Sequence, residues 1–112
     1  MQVTATDYDR VFGALSDATR RDIVFRAIDG QEGVAELAEH YPMSFAAVQK
    51  HVALLERAGL VTKQRAGRRL IVRTDLGGLT VARELLDRYE ELWRARIHRM
   101  GEIIAADQEQ PS

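Results

Sequence analysis

Between Ser44 and Thr74 the chain carries seven bases, Lys50, Arg57, Lys63, Arg65, Arg68, Arg69 and Arg73, against one acid, Glu56. The flanks lean the other way: Met1 to Met43 holds eight acids and four arginines, and Asp75 to Ser112 eight acids and five arginines. A formal net charge of −1 thus conceals a basic island in the middle third. Clustered cations of this kind can neutralise the phosphates of a nucleic acid. Gln49, inside the island, can offer both an amide donor and an acceptor to an adenine edge. Catalysis finds no comparable footing. The chain has no glycine-rich phosphate loop and no paired-carboxylate motif, its three histidines are far apart, and Ser16 and Ser44 are better used as helix caps. We expect no enzyme, no cofactor and no metal, the absence of cysteine removing disulfides, thiolate zinc sites and cysteine nucleophiles together.

Hydrophobic spacing shows which elements would position these groups. Tyr8, Val11, Phe12 and Leu15 mark one face of a short helix, and Ser16 or Asp17 can cap a second that repeats Ile23, Val24, Ala27 and Ile28 up to Gly30. Val34, Leu37, Ala38 and Tyr41 predict a third helix over 34–41, closed by Pro42. Ser44 is a good N-cap for a fourth, with Val48, Val52 and Leu55 on its apolar face and Gly59 as its stop. Leu60 to Arg65 and Arg69 to Thr74 read as two strands joined through Ala66, Gly67 and Arg68, Gly67 supplying the positive φ of the turn. After Gly77 and Gly78, the positions Ala82, Leu86, Tyr89, Trp93, Ile97, Met100 and Ile104 step by three or four along one long helix.

The expected fold is therefore mainly helical with one small β-hairpin: four helices, two strands, then a fifth helix. Residues 1–106 are expected to form one domain, with 107–112 as a polar tail. The first ten residues are polar and no segment approaches the roughly 18 apolar residues of a membrane span. A cytoplasmic protein without membrane contact is expected. Helix, tight turn and helix followed at once by a basic hairpin point to duplex DNA, because an α-helix fits the major groove with its first residues facing the base edges. The outward face of the fourth helix offers Ser44, Phe45, Ala46, Gln49 and Lys50, and His51 lies beside its apolar stripe. Lys63, Arg65, Gly67, Arg68 and Arg69 surround the hairpin turn, where long cations can reach phosphates or the minor groove, as a wing does. The stripe Leu86, Tyr89, Trp93, Ile97, Met100 and Ile104 is more apolar surface than the preceding domain can cover, which favours a homodimer. A protein-interaction module that docks a partner through this stripe is the alternative, and the basic island counts against it.

LSDATRRDIV (Leu15 to Val24), VAELAEHYPMSFAAVQKHVALLERAGLV (Val34 to Val61) and KQRAGRRLIVR (Lys63 to Arg73) together resemble the ArsR-type winged helix-turn-helix repressors. The resemblance runs from about Val11 to Thr74, with the long last helix also in place. It implies double-stranded operator DNA as partner and repression relieved by some signal, the effector being unspecified. It also implies a dimer built from the first and last helices, which adds Tyr8, Val11 and Phe12 to the interface residues. Ser44 to His51 fall on its recognition helix and Gly67 to Arg69 at its wing tip. The chain departs from metal-sensing members of that family. VAELAEHY carries no cysteine pair, and the last helix has a single histidine, His98, with Asp87 and Glu102 at spacings that do not reproduce the usual ligand pattern.

Overall fold

Helix starts are set by side chains that accept the otherwise unpaired first N–H groups. The Thr4 hydroxyl accepts from the Asp7 N–H at 3.2 Å, while the Asp7 carboxylate accepts from the Thr4 N–H at 2.8 Å, a reciprocal capping box. Asp17 accepts from the Arg20 N–H at 3.0 Å and Ser44 from the Ala47 N–H at 3.1 Å. In a computed structural model describing residues 3–109, these caps open α1 (Ala5–Leu15), α2 (Ala18–Ala27) and α4 (Phe45–Arg57). The short α3 (Val34–Ala38) lies between the last two, and β1 (Val61–Ala66), β2 (Arg69–Thr74) and α5 (Leu76–Glu109) complete the order. The expected sequence of four helices, a hairpin and a fifth helix is what the chain adopts.

Boundaries moved where backbone chemistry outweighed apolar spacing. The Thr4 box starts α1 three residues ahead of Tyr8. Predicted through Tyr41, α3 ends at Ala38, because Glu39, His40 and Tyr41 each donate to the carbonyl three residues back and tighten the chain ahead of Pro42. Ala66 pairs directly with Arg69, so the hairpin turns on Gly67 and Arg68 alone, with Gly67 at φ 66°. α5 begins at Leu76, ahead of the two glycines, as Asp75 accepts from the Gly77 N–H at 2.9 Å. Residues 107–109, expected in the polar tail, belong to α5, while 110–112 lie outside the described residues.

The chain divides into two units, Met1–Ala82 and Arg83–Ser112. In the first, Val11, Ile23, Leu37, Val48, Val52, Leu55, Leu60, Val61 and Val72 are at most 2% exposed and form one apolar core. Val11 is thereby a core residue, which corrects its expected place on a dimer surface: buried in the core cluster, its side chain has almost no area to present outward. Among residues 83–108 of the second unit none is buried, so the expected single domain 1–106 has its core confined to the first unit.

Gly78 joins the start of α5 to the end of α4, donating to the Gly59 carbonyl at 2.8 Å. A Cβ there would lie 2.7 Å from that oxygen and 2.9 Å from Leu60 Cδ2. Gly13, in the last turn of α1, has open space around it. Gly78→Ala is therefore expected to lower the urea midpoint of unfolding, whereas Gly13→Ala should raise stability by about 0.5–1 kcal/mol through the helix preference for alanine.

Candidate nucleic-acid interface

The three apolar positions Val48, Val52 and Leu55 are fully buried, and their burial fixes the rotation of α4 about its axis. The opposite face is left to solvent: Ser44, Ala46, Gln49 and Lys50 are exposed, and Phe45 is 47% exposed. All five expected base-edge residues thus share one open helix face. The Ser44 oxygen is engaged in the cap, which leaves its hydroxyl hydrogen to donate. His51 is half-buried at the side of this face, its Nδ1 3.2 Å from a guanidinium nitrogen of Arg20 on α2.

The hairpin is braced against the loop before α3. Val72 N–H donates to the Glu32 carbonyl at 2.9 Å, and Thr74 Oγ1 donates to the Val24 carbonyl at 2.6 Å. Gly33 lies so near β2 that a Cβ would stand 2.8 Å from the Leu70 carbonyl oxygen. The five expected wing residues separate into two groups. Arg65, Gly67 and Arg68 are exposed around the turn, and neither arginine has an ion pair among the described residues. Lys63 Nζ instead lies 3.8 Å from Glu56 of α4. Arg69 is turned back toward α3, donating to the Glu36 carboxylate and, at 3.2 Å, to the Gln31 carbonyl. Arg69, expected at the wing tip, thus pairs with Glu36 while its side chain stays 53% exposed. Arg73 is exposed, and its side chain runs along Gly30.

Besides Asp7, lowered by the Thr4 N–H of its capping box, three carboxylates are held below the usual range by their hydrogen-bond donors. For Glu36 the chief cause is the Arg69 guanidinium, followed by the Gly33 N–H. For Asp17 it is the Arg20 N–H, with the charge of Arg20 adding to it against some burial. For Asp22 it is the Tyr41 hydroxyl, which donates at 2.6 Å, and then Arg26 at 2.8 Å. Burial, and then the Asp22 acceptor, push the Tyr41 hydroxyl up in turn.

Sequence spacing gives no sign of Glu36, whose partner is 33 residues away, or of the Arg20 contact with His51, which spans 31. It also missed Leu92 and Ile103, which are 62% and 66% exposed and widen the α5 stripe. The stripe residues Leu86, Tyr89, Trp93, Ile97, Met100 and Ile104 are 49–61% exposed, and Tyr8 and Phe12 are half-buried on α1. Among the described residues no three His, Cys, Asp or Glu side chains come together as a metal site, and no helix is long and apolar enough to cross a membrane.

The HTH-type transcriptional regulator Rv2034 of Mycobacterium tuberculosis is 43% identical over 99 residues, which cover 88% of this chain and 90% of that protein. An ArsR-like transcriptional regulator from Rhodococcus sp. RHA1 has the same fold, with a TM-score of 0.75 at 30% identity over 88% of this chain and 92% of that one. The chain belongs to the ArsR family of winged helix-turn-helix transcriptional regulators. In this ArsR-family chain α3 and α4 are the helix-turn-helix and β1 and β2 the wing. The transcriptional repressor SdpR of Bacillus subtilis is a shorter match, 32% identical over 59 residues, 53% of this chain and 66% of that protein. No family model matches the chain.

A carboxylate whose folded pKa is depressed stabilises the fold above its unfolded pKa, and that contribution is lost as pH falls through the folded value. The urea midpoint of the wild type should therefore hold steady down to about pH 5 and decline below about pH 4. Asp22→Asn should flatten the decline, since it removes one proton-binding group while keeping an acceptor for Tyr41.

Proposed function

We propose that this ArsR-family chain is a homodimeric repressor that lays α4 in the major groove of an imperfectly palindromic operator and sets its wing tip on the flanking backbone. The open face of α4, polar and cationic opposite a fully buried stripe, is the observation that carries this reading. Gln49 and Lys50 are assigned to base edges, Ser44, Phe45 and Ala46 to the near bases and a thymine methyl, and Arg65 and Arg68 to phosphates. Gly67 permits the turn that brings the two arginines forward. The name of the SdpR relative supports repression, by occlusion of a promoter.

Self-association is assigned to the apolar residues of α5, with Tyr8 and Phe12 of α1 as a further contact. Eight large apolar side chains exposed between Leu86 and Ile104 are more than a monomer leaves open to water without a use. The dimer would present two α4 helices to successive major grooves, roughly 34 Å apart. A chromosomal partner places the protein in the cytoplasm. The donor set, without cysteine and without clustered ligands among the described residues, supports a regulator whose signal is not a metal held by thiolates.

Titration of a fluorescent duplex from the gene's own upstream region, against a scrambled duplex and at two salt concentrations, tests the proposal. Selective binding that weakens roughly a thousandfold between about 50 and 200 mM salt is expected for six neutralised phosphates, and zinc should leave it unchanged. Absence of binding to any duplex at low salt would overturn the reading in favour of a protein-docking module. Arg68→Ala is expected to weaken both duplexes alike and to reduce the salt slope by about 0.9 for each phosphate no longer neutralised. Gln49→Ala should instead reduce the preference for the operator by about 1–3 kcal/mol per base pair read. Trp93→Glu should shift the protein to a monomer in sedimentation equilibrium and reduce operator affinity with it.

A further inference from the structure

Arg20 is the most heavily committed cation of the first unit. Its Nε donates to the Ala14 carbonyl at 2.8 Å and its Nη2 to the Gly13 carbonyl at 3.2 Å, so it closes the C-terminal end of α1. That end is the negative pole of the helix and holds a cation well. The remaining nitrogen, Nη1, lies 3.2 Å from His51 Nδ1 on α4. A guanidinium has only hydrogens to offer, so His51 Nδ1 must be the acceptor and the ring proton must sit on Nε2. In the neutral ring the single N–H is thereby placed on Nε2.

The position of that N–H follows from the remaining contacts. Nε2 has no protein partner among the described residues, and no buried side-chain nitrogen or oxygen among them lacks one. Nε2 therefore reaches solvent beside α4. Asp17, a carboxylate that bears on the pair, accepts from the Arg20 backbone N–H at the start of α2.

We propose that His51 donates its Nε2–H to a DNA phosphate beside α4, and that Arg20 is a positioning residue that selects the tautomer able to do so. This deepens the proposed function and rests on it. The bond differs in kind from those of Arg65 and Arg68. A neutral donor orients the helix on the backbone without neutralising a phosphate, so it releases no counterion and adds nothing to the salt slope.

The tautomer and the DNA contact can be read separately. Long-range proton–nitrogen NMR of the full-length wild type at about pH 8 should show His51 protonated on Nε2, and Arg20→Gln should return the ring to a mixture of tautomers. Proton occupancy on Nδ1 in the wild type would overturn the proposal without any variant. In duplex titrations His51→Phe should weaken the upstream and scrambled duplexes alike, by about three- to tenfold for each neutral hydrogen bond removed, with the salt slope unchanged. His51→Gln, which keeps an N–H at the place of Nε2, should recover most of the affinity. Arg20→Gln combined with His51→Phe should bind no more weakly than His51→Phe alone. Wild-type affinity in His51→Phe, or a slope reduced by about 0.9 per phosphate as for a cation, would sink the His51 assignment and leave the regulator reading standing. Failure of the wild type to bind any duplex would remove both.

Discussion

The burial of one stripe of α4 is the constraint on which the rest of the structure depends. Val48, Val52 and Leu55 have no contact with water, and they pack with residues from α1, α2, α3 and the hairpin base. Each such side chain contributes roughly 1.5–3 kcal/mol by leaving water, so α4 cannot rotate without giving up several of these contributions at once. Its polar face is for that reason a fixed display. Ser44 determines where the display begins, since its cap ends the turn after α3 and aligns the first residues of α4 with solvent.

The wing is held by a second, polar set of contacts. Main-chain bonding to the 30–33 loop, with glycine where the two backbones meet, keeps β2 close to α3. The Glu36 to Arg69 clamp and the pairing of Lys63 with Glu56 then tie the hairpin to both helices of the helix-turn-helix. Exposed ion pairs of this kind add little to global stability. Their effect lies in allocation: two of the expected cations brace the hairpin, and Arg65 and Arg68 are left at the turn. An island of seven bases is thus sorted into structural and outward-facing charges by where the acids of neighbouring elements fall.

The α5 stripe is under the opposite constraint. Leu86, Tyr89, Leu92, Trp93, Ile97, Met100, Ile103 and Ile104 are apolar and at least 49% exposed. Propensity can keep such a helix formed only marginally, and tertiary or intersubunit packing normally supplies the remainder. Under the proposed homodimer, the apolar period that makes α5 a helix also joins two copies, and DNA binding becomes linked to assembly.

Much of this protein was legible in the chain. Apolar steps of three and four, with Asp17, Ser44, Gly30, Gly59 and Gly67 at the ends and turns, determined the order of helices and strands, because caps and positive-φ glycines act within a few residues. The faces of α4 were equally determined, since helical periodicity separates Val48, Val52 and Leu55 from Gln49 and Lys50. Tertiary structure alone decided the inward turn of Val11, the pairing of Arg69 with Glu36, the course of Arg73 along Gly30 and the contact of His51 with Arg20. Each depends on a group brought close from a distant part of the chain, as Arg20 is to His51 across 31 positions. Local spacing records which face a side chain occupies, but the partner that it meets there is determined only when the helices pack.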